Sequence, residues 1–89
     1  MGFRMKARVD ANQLEIVTQL RKIGAKVLHL HQLKNCVDIL VGHKGKLALF
    51  EIKTDHKKKL TVGEKEFKDE WVGYPVYVAT NIDEILDKF

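Results

Sequence analysis

The chain contains a single cysteine, a single proline and no apolar stretch near the roughly 18 residues that a membrane span requires. Cys36 therefore has no partner for an internal disulfide, and no Cys/His pair has zinc-ligand spacing, which excludes a disulfide scaffold and a zinc module. It reads as a small, half-buried residue in a reducing compartment. Met1 to Lys6 lacks the apolar centre of a signal peptide, and Lys6 stands where a myristoylation signal has Ser or Thr, so a cytoplasmic protein is expected. Repeats, low-complexity tracts and linkers are also missing. The expectation is one domain over 1–89, with 1–7 a loose N-terminal extension and Met5 an alternative start.

What is present is 45% apolar residues, enough for one packed core, and 31% charged residues. Lys plus Arg outnumber Asp plus Glu by 16 to 12, giving a net charge of +4 that is consistent with a polyanionic partner.

The periodicities divide the chain into seven elements. Asp10 to Ile23 carries Leu14, Ile16, Val17, Leu20 and Ile23 at helical spacing, and Gly24 is a natural stop. Lys26 to Leu30 alternates as a strand. Val37 to Val41 is an apolar strand interrupted by Asp38. Gly42-His43-Lys44-Gly45 is a turn, which makes Lys46 to Lys53 the return strand of a hairpin. Thr61-Val62-Gly63-Glu64 has the form of a capping box and opens a helix with Phe67 and Trp71 on its core face; Gly73 and Pro75 end it. Tyr74 to Ala79 is a strand, and Asn81 caps a last helix bearing Ile82, Ile85, Leu86 and Phe89. The order is α-β-β-β-α-β-α, an α/β fold with a mixed sheet flanked by helices. The crossover through the Thr61 helix should set the last strand parallel to an earlier one.

Folding alone does not account for the ionisable residues inside two of these strands. Asp38 lies in Val-Asp-Ile-Leu-Val, where strand propensity disfavours it and burial of a carboxylate is costly. On the return strand, period-two alternation aims Glu51 and Lys53 to one side and Ala48, Phe50 and Ile52 to the other. Across a hairpin, Asp38 and Glu51 converge. Two adjacent carboxylates repel, and a divalent cation relieves that repulsion better than a proton does. Hard oxygen donors suit Mg2+ or Mn2+. A lysine beside them can orient or deprotonate a water, or offset charge on a phosphorane, as a phosphodiester hydrolase requires.

The pattern Asp38…Glu51-Ile52-Lys53 after a leading helix resembles the PD-(D/E)XK nuclease superfamily. The finer similarity is to its virus-type replication-repair nuclease (VRR-NUC) domains, common in phages. The similarity runs through Arg8-x-Asp10-x-Asn12-Gln13-x-Glu15-Ile16-Val17, Asp38-Ile39-Leu40-Val41-Gly42, Glu51-Ile52-Lys53, and Leu60-Thr61 leading to Phe67 and Trp71. It implies a restriction-endonuclease-like core in which Asp38, Glu51 and the Ile52 carbonyl bind Mg2+ or Mn2+. Lys53 would be the catalytic lysine, and Glu15 an acid on the first helix reaching the metal through water. It further implies a homodimeric endonuclease acting on DNA, branched (Holliday-junction-like) or duplex, in a bacterial or phage-infected cell, with no small-molecule cofactor and no membrane association. Val37 stands where the family carries Pro. Glu64 and Lys65 stand where members often carry Gln; Lys65 is expected to contact phosphate, and Glu64 is unfavourable near DNA.

Lys57, Lys58 and Lys59 follow the catalytic strand and are expected to touch the phosphate backbone. His29 and His31 lack an evident third ligand and read as packing residues, as do Tyr74 and Tyr77. Two other readings compete: a catalytically silent nucleic-acid-binding module on this scaffold, and a structural or protein-interaction subunit.

Overall fold

The computed structural model describes residues 11–89. The loose extension over 1–7, and the Arg8 and Asp10 portions of the first motif and helix, lie outside the described residues. The elements follow the order α1 (Gln13–Lys22), β1 (Lys26–His29), β2 (Ile39–His43), β3 (Lys46–Ile52), α2 (Val62–Glu70), β4 (Val76–Ala79) and α3 (Ile82–Leu86). This is the expected succession. The strands form one mixed sheet in the order β1-β2-β3-β4. The first two pairings are antiparallel and β3–β4 is parallel, as the crossover through α2 requires.

In α1, Gln13, Ile16, Val17 and Leu20 are buried, a spacing of i, i+3, i+4 and i+7 that makes one stripe. The apolar face expected from the sequence is therefore rotated. Leu14 is 72% and Ile23 50% exposed, and the polar Gln13 takes the end of the stripe instead. Gly24, at φ +91°, lets the chain reverse, and Ala25 N–H returns to the Leu20 carbonyl at 3.0 Å.

The hairpin is tighter than the sequence implied. Gly42 and His43 stay in β2, His43 pairs with Lys46, and the turn is only Lys44-Gly45, both at positive φ. The main core lies between the α1/α3 layer and the sheet face carrying Val27, Ile39, Val41, Ala48, Phe50 and Ile52. On the other face, α2 sets Phe67 against Val37 and Val76, beside Leu30, Cys36 and Leu49. Trp71, expected in the core, stacks on Phe67 at 5.3 Å but remains 39% exposed at the C-cap of α2. Among the described residues no helix is long and apolar enough to cross a membrane.

Candidate active site

The pairing Ile39↔Phe50 brings the start of β2 against the end of β3, and the ladder changes character there. Asp38 N–H donates to the Phe50 carbonyl at 3.1 Å, and the Asp38 carbonyl accepts from Leu30 at 2.7 Å. Ile52 N–H then donates to the Asp38 side chain, to Oδ2 at 2.7 Å. A carboxylate thus does the work of a strand carbonyl. That explains how Asp38 sits 9% exposed in an apolar strand.

Glu51 and Lys53 flank Ile52 and are also buried, at 4% and 7% exposure. The Lys53 ammonium lies 3.6 Å from Glu51 Oε2 and donates to Glu64 Oε1 at 2.9 Å. Glu64 comes from the first turn of α2. Its Oε1 also accepts from Thr61 N–H at 2.8 Å, and Glu64 N–H donates to Thr61 Oγ1 at 3.2 Å. The expected capping box is therefore complete, but its glutamate serves a second purpose. Sequence reasoning set Glu64 aside as unfavourable; it stands beside the site because its partner is Lys53. The Thr-x-x-Glu spacing was its only signal, and that spacing reports a helix start and nothing about the strand end it meets.

Glu51 Oε1 is buried without a hydrogen-bond partner. Burial foremost, then hydrogen bonding to Glu64 and the charge of Asp38, push the Glu51 carboxyl up to about 10. Burial also acts to raise Glu64. There it is outweighed by hydrogen bonds from Glu51, Lys53 and the Thr61 backbone, which hold Glu64 down at about 2. The two acids are driven apart, one retaining a proton and the other ionised. A cavity of about 10 Å3, lined by Glu51, Glu64, Leu60 and Val78 among others, adjoins them.

This donor set fits a hard divalent ion. It has two carboxylates from adjacent strands, and one of them carries a buried oxygen with no partner and stays protonated in the absence of a cation. Among the described residues no three His, Cys, Asp or Glu side chains already form an ion cage; Glu51 and Glu64 turn toward the Lys53 ammonium instead.

The remaining expected residues are not gathered here. Glu15 is exposed, two positions from Gln13 and so about 200° around the helix from the buried stripe's end. No hydrogen bond or ion pair joins it to the site among the described residues. Lys57, Lys58 and Lys59 are exposed in the loop after β3, shaped by Asp55, whose side chain accepts from Lys57 N–H at 2.7 Å. Lys65 is exposed and paired with Asp69 at 3.2 Å.

Two residues of the first motif take structural positions instead. Asn12 Nδ2 donates to the Lys53 and Thr80 carbonyls at 2.9 and 2.8 Å, tying the start of α1 to the ends of β3 and β4. Gln13 lies 3.4 Å from His31 Nδ1. His29 and His31 pack edge to face, as ordinary packing residues do.

Comparison of the chain with protein-family models, with curated proteins and with solved structures finds no match in any of the three.

Proposed function

We propose that this chain is a Mg2+- or Mn2+-dependent endonuclease of the PD-(D/E)XK type, close in pattern to VRR-NUC domains, that hydrolyses DNA phosphodiesters. The observation that carries the reading is the convergence of Asp38, Glu51 and Lys53 at the joined ends of β2 and β3, all three buried. A protein seldom buries two acids and an amine at one strand end for stability alone, since apolar residues there would cost less. Perturbed carboxyls grouped in this way are what acid–base and metal chemistry needs.

In this reading Asp38, Glu51 and the Ile52 carbonyl hold the ion. When bound, it polarises the scissile phosphate and lowers the pKa of a coordinated water. The protein's own part is positioning. Asp38 is locked by Ile52 N–H, so its orientation is fixed before any ligand arrives. Lys53, steadied by Glu64, keeps an N–H donor beside the metal ligands, where it orients the attacking water and offsets negative charge growing on the phosphoryl oxygens. Hydrolysis forms one P–O bond from water and breaks one to a sugar oxygen. A homodimer on branched DNA follows from the family resemblance, and the small surface of one 89-residue copy favours it.

The test is Mn2+-dependent cleavage of linear and branched DNA by wild type and Glu51→Ala. Cleavage by wild type alone supports the assignment. Cleavage that survives the substitution points to a contaminant, and DNA binding without cleavage assigns the silent binding module.

A further inference from the structure

Five of the thirteen Lys and Arg side chains among the described residues gather at the end of the sheet opposite Asp38 and Glu51. Between Glu15 and Glu51 the only acid is Asp38, whereas Arg21, Lys22, Lys26, Lys44 and Lys46 all fall in that stretch. The fold brings these five together: the last turn of α1, the first residue of β1 and the β2–β3 turn meet at one end of the sheet. All five are exposed, and among the described residues none is in an ion pair. Arg21 is fixed in place by donating to the Val27 carbonyl at 3.1 Å.

Arg21 and Lys26 rim a groove of about 570 Å3 floored by Leu28, Leu40 and Leu47. A further concavity of about 360 Å3 continues it past Lys44 and Lys46. Gly42 belongs to both, and a Cβ there would come within 3.3 Å of Leu47. By strand alternation Asp38, Leu40 and Gly42, with Leu47, Leu49 and Glu51 opposite, share one face of the sheet. The groove and the candidate active site are thus two ends of the same face.

We propose that this groove is a second nucleic-acid contact, binding the phosphodiester backbone at a distance from the bond to be cut. The inference rests on nucleic acid being the substrate, as proposed above. The helix dipole accounts for Arg21 and Lys22 in the last turn of α1, but not for Lys26, Lys44 and Lys46. A second copy of this chain is a poor complement. The acids of α2 alternate with Lys65 and Lys68, Asp69 is already paired, and Glu84 of α3 is bonded to His56, which leaves only Asp83 and Asp87 at the α3 end to meet five cations. A polyanion matches five clustered cations without interleaved lysines. The length of β3 puts Lys46 about 23 Å from Lys53, or roughly seven base pairs along a duplex.

The test is fluorescence anisotropy in EDTA, where cleavage plays no part, with DNA duplexes of roughly 30 and roughly six base pairs, the shorter too small to span both ends. For Lys26→Glu/Lys44→Glu/Lys46→Glu, affinity for the long duplex should fall at least about 30-fold, and the slope of log K against log salt should shrink by about 2 to 3. The short duplex, which can still lie in the groove, should also lose affinity. The Lys→Gln triple variant, which introduces no repulsion, should show the same slope change. Unchanged affinity and slope on both duplexes overturn the proposal. So does unchanged DNA binding with a lowered solution mass, which would give the groove to a second copy. None of these readouts depends on cleavage, so failure of the nuclease reading would be seen separately.

Discussion

The side chain of Asp38 and the backbone N–H of Ile52 are joined at 2.7 Å, across the two strands that carry the candidate metal ligands. This carboxylate fixes the strand that delivers Glu51 and Lys53, and under the proposed function it also offers an oxygen to an ion. The two duties can be separated. Asn at this position keeps an acceptor for Ile52 and loses the charge; Ala loses both. Asp38→Ala should lower stability by about 2 kcal/mol, because it leaves a buried N–H without a partner, which corresponds to a Tm loss of about 10 °C for a chain of this size. Asp38→Asn should melt within a few degrees of wild type and still fail to bind Mn2+ by calorimetry. If Asn binds the ion as tightly as Asp, Asp38 is a structural residue only.

Glu51 has a carboxyl raised from its ordinary value to about 10. A group raised in the folded state contributes stability below its unfolded value, near 4.5, and that contribution drains away as pH climbs toward 10. Glu64 is the opposite case: held at about 2, it contributes above 4.5 and loses that contribution as pH falls. Without metal, the protein should therefore become less stable from mildly acidic to alkaline pH. Glu51→Gln, which cannot ionise, should flatten the alkaline limb and raise the Tm at pH near 8 by about 5 °C, allowing for partial solvent screening. Under the nuclease reading the same variant should lose all cleavage. A Tm–pH profile parallel to that of wild type would show that Glu51 ionises freely in the fold.

Glu64 Oε1 receives both the Thr61 N–H and the Lys53 ammonium. Removing the side chain should cost about 1 kcal/mol through the lost cap and also release Lys53. Gln keeps the oxygen and should preserve both contacts. Under the nuclease reading, Glu64→Ala should reduce kcat about 10- to 100-fold with little change in KM, while Glu64→Gln restores most of the rate; Lys53→Met should cost about 100-fold or more. A rate unaffected by Glu64→Ala would leave Glu64 as a helix cap alone.

The parts that could be read from the sequence are those whose cause is local. Period-two alternation set Glu51 and Lys53 on one side of β3, and an acid inside Val-Asp-Ile-Leu-Val marked Asp38 as needing a partner. The capping box, the Gly24 stop and the Asn81 cap are likewise contained in three or four residues each. What escaped depends on contacts between distant segments. Nothing local marks Gln13 as buried until His31, just after β1, is placed beside it, and Leu14 reads as core until the stripe is seen to run through Gln13, Ile16, Val17 and Leu20. Glu64 escaped for the same reason: nothing within α2 shows that the end of β3 arrives beside it.

Asn12 offers a test of how far site geometry depends on such a contact. Its amide bridges the Lys53 and Thr80 carbonyls, which end neighbouring parallel strands, and lies 41 residues from the first of these in sequence. Lys53 N–H in turn donates to the Ala79 carbonyl at 3.0 Å, so the backbone of Lys53 is held on both sides. Asn12→Ala removes one side and leaves two carbonyls to find water. The expected loss is about 1 to 2 kcal/mol of stability, together with faster amide exchange at Lys53 while core positions such as Val41 and Phe50 exchange as in wild type. Under the nuclease reading Lys53 has to be placed within a fraction of an ångström, so kcat should fall by more than the Tm change alone implies. Should Lys53 exchange be unchanged in Asn12→Ala, the parallel ladder alone holds the strand end and Asn12 is dispensable to the site.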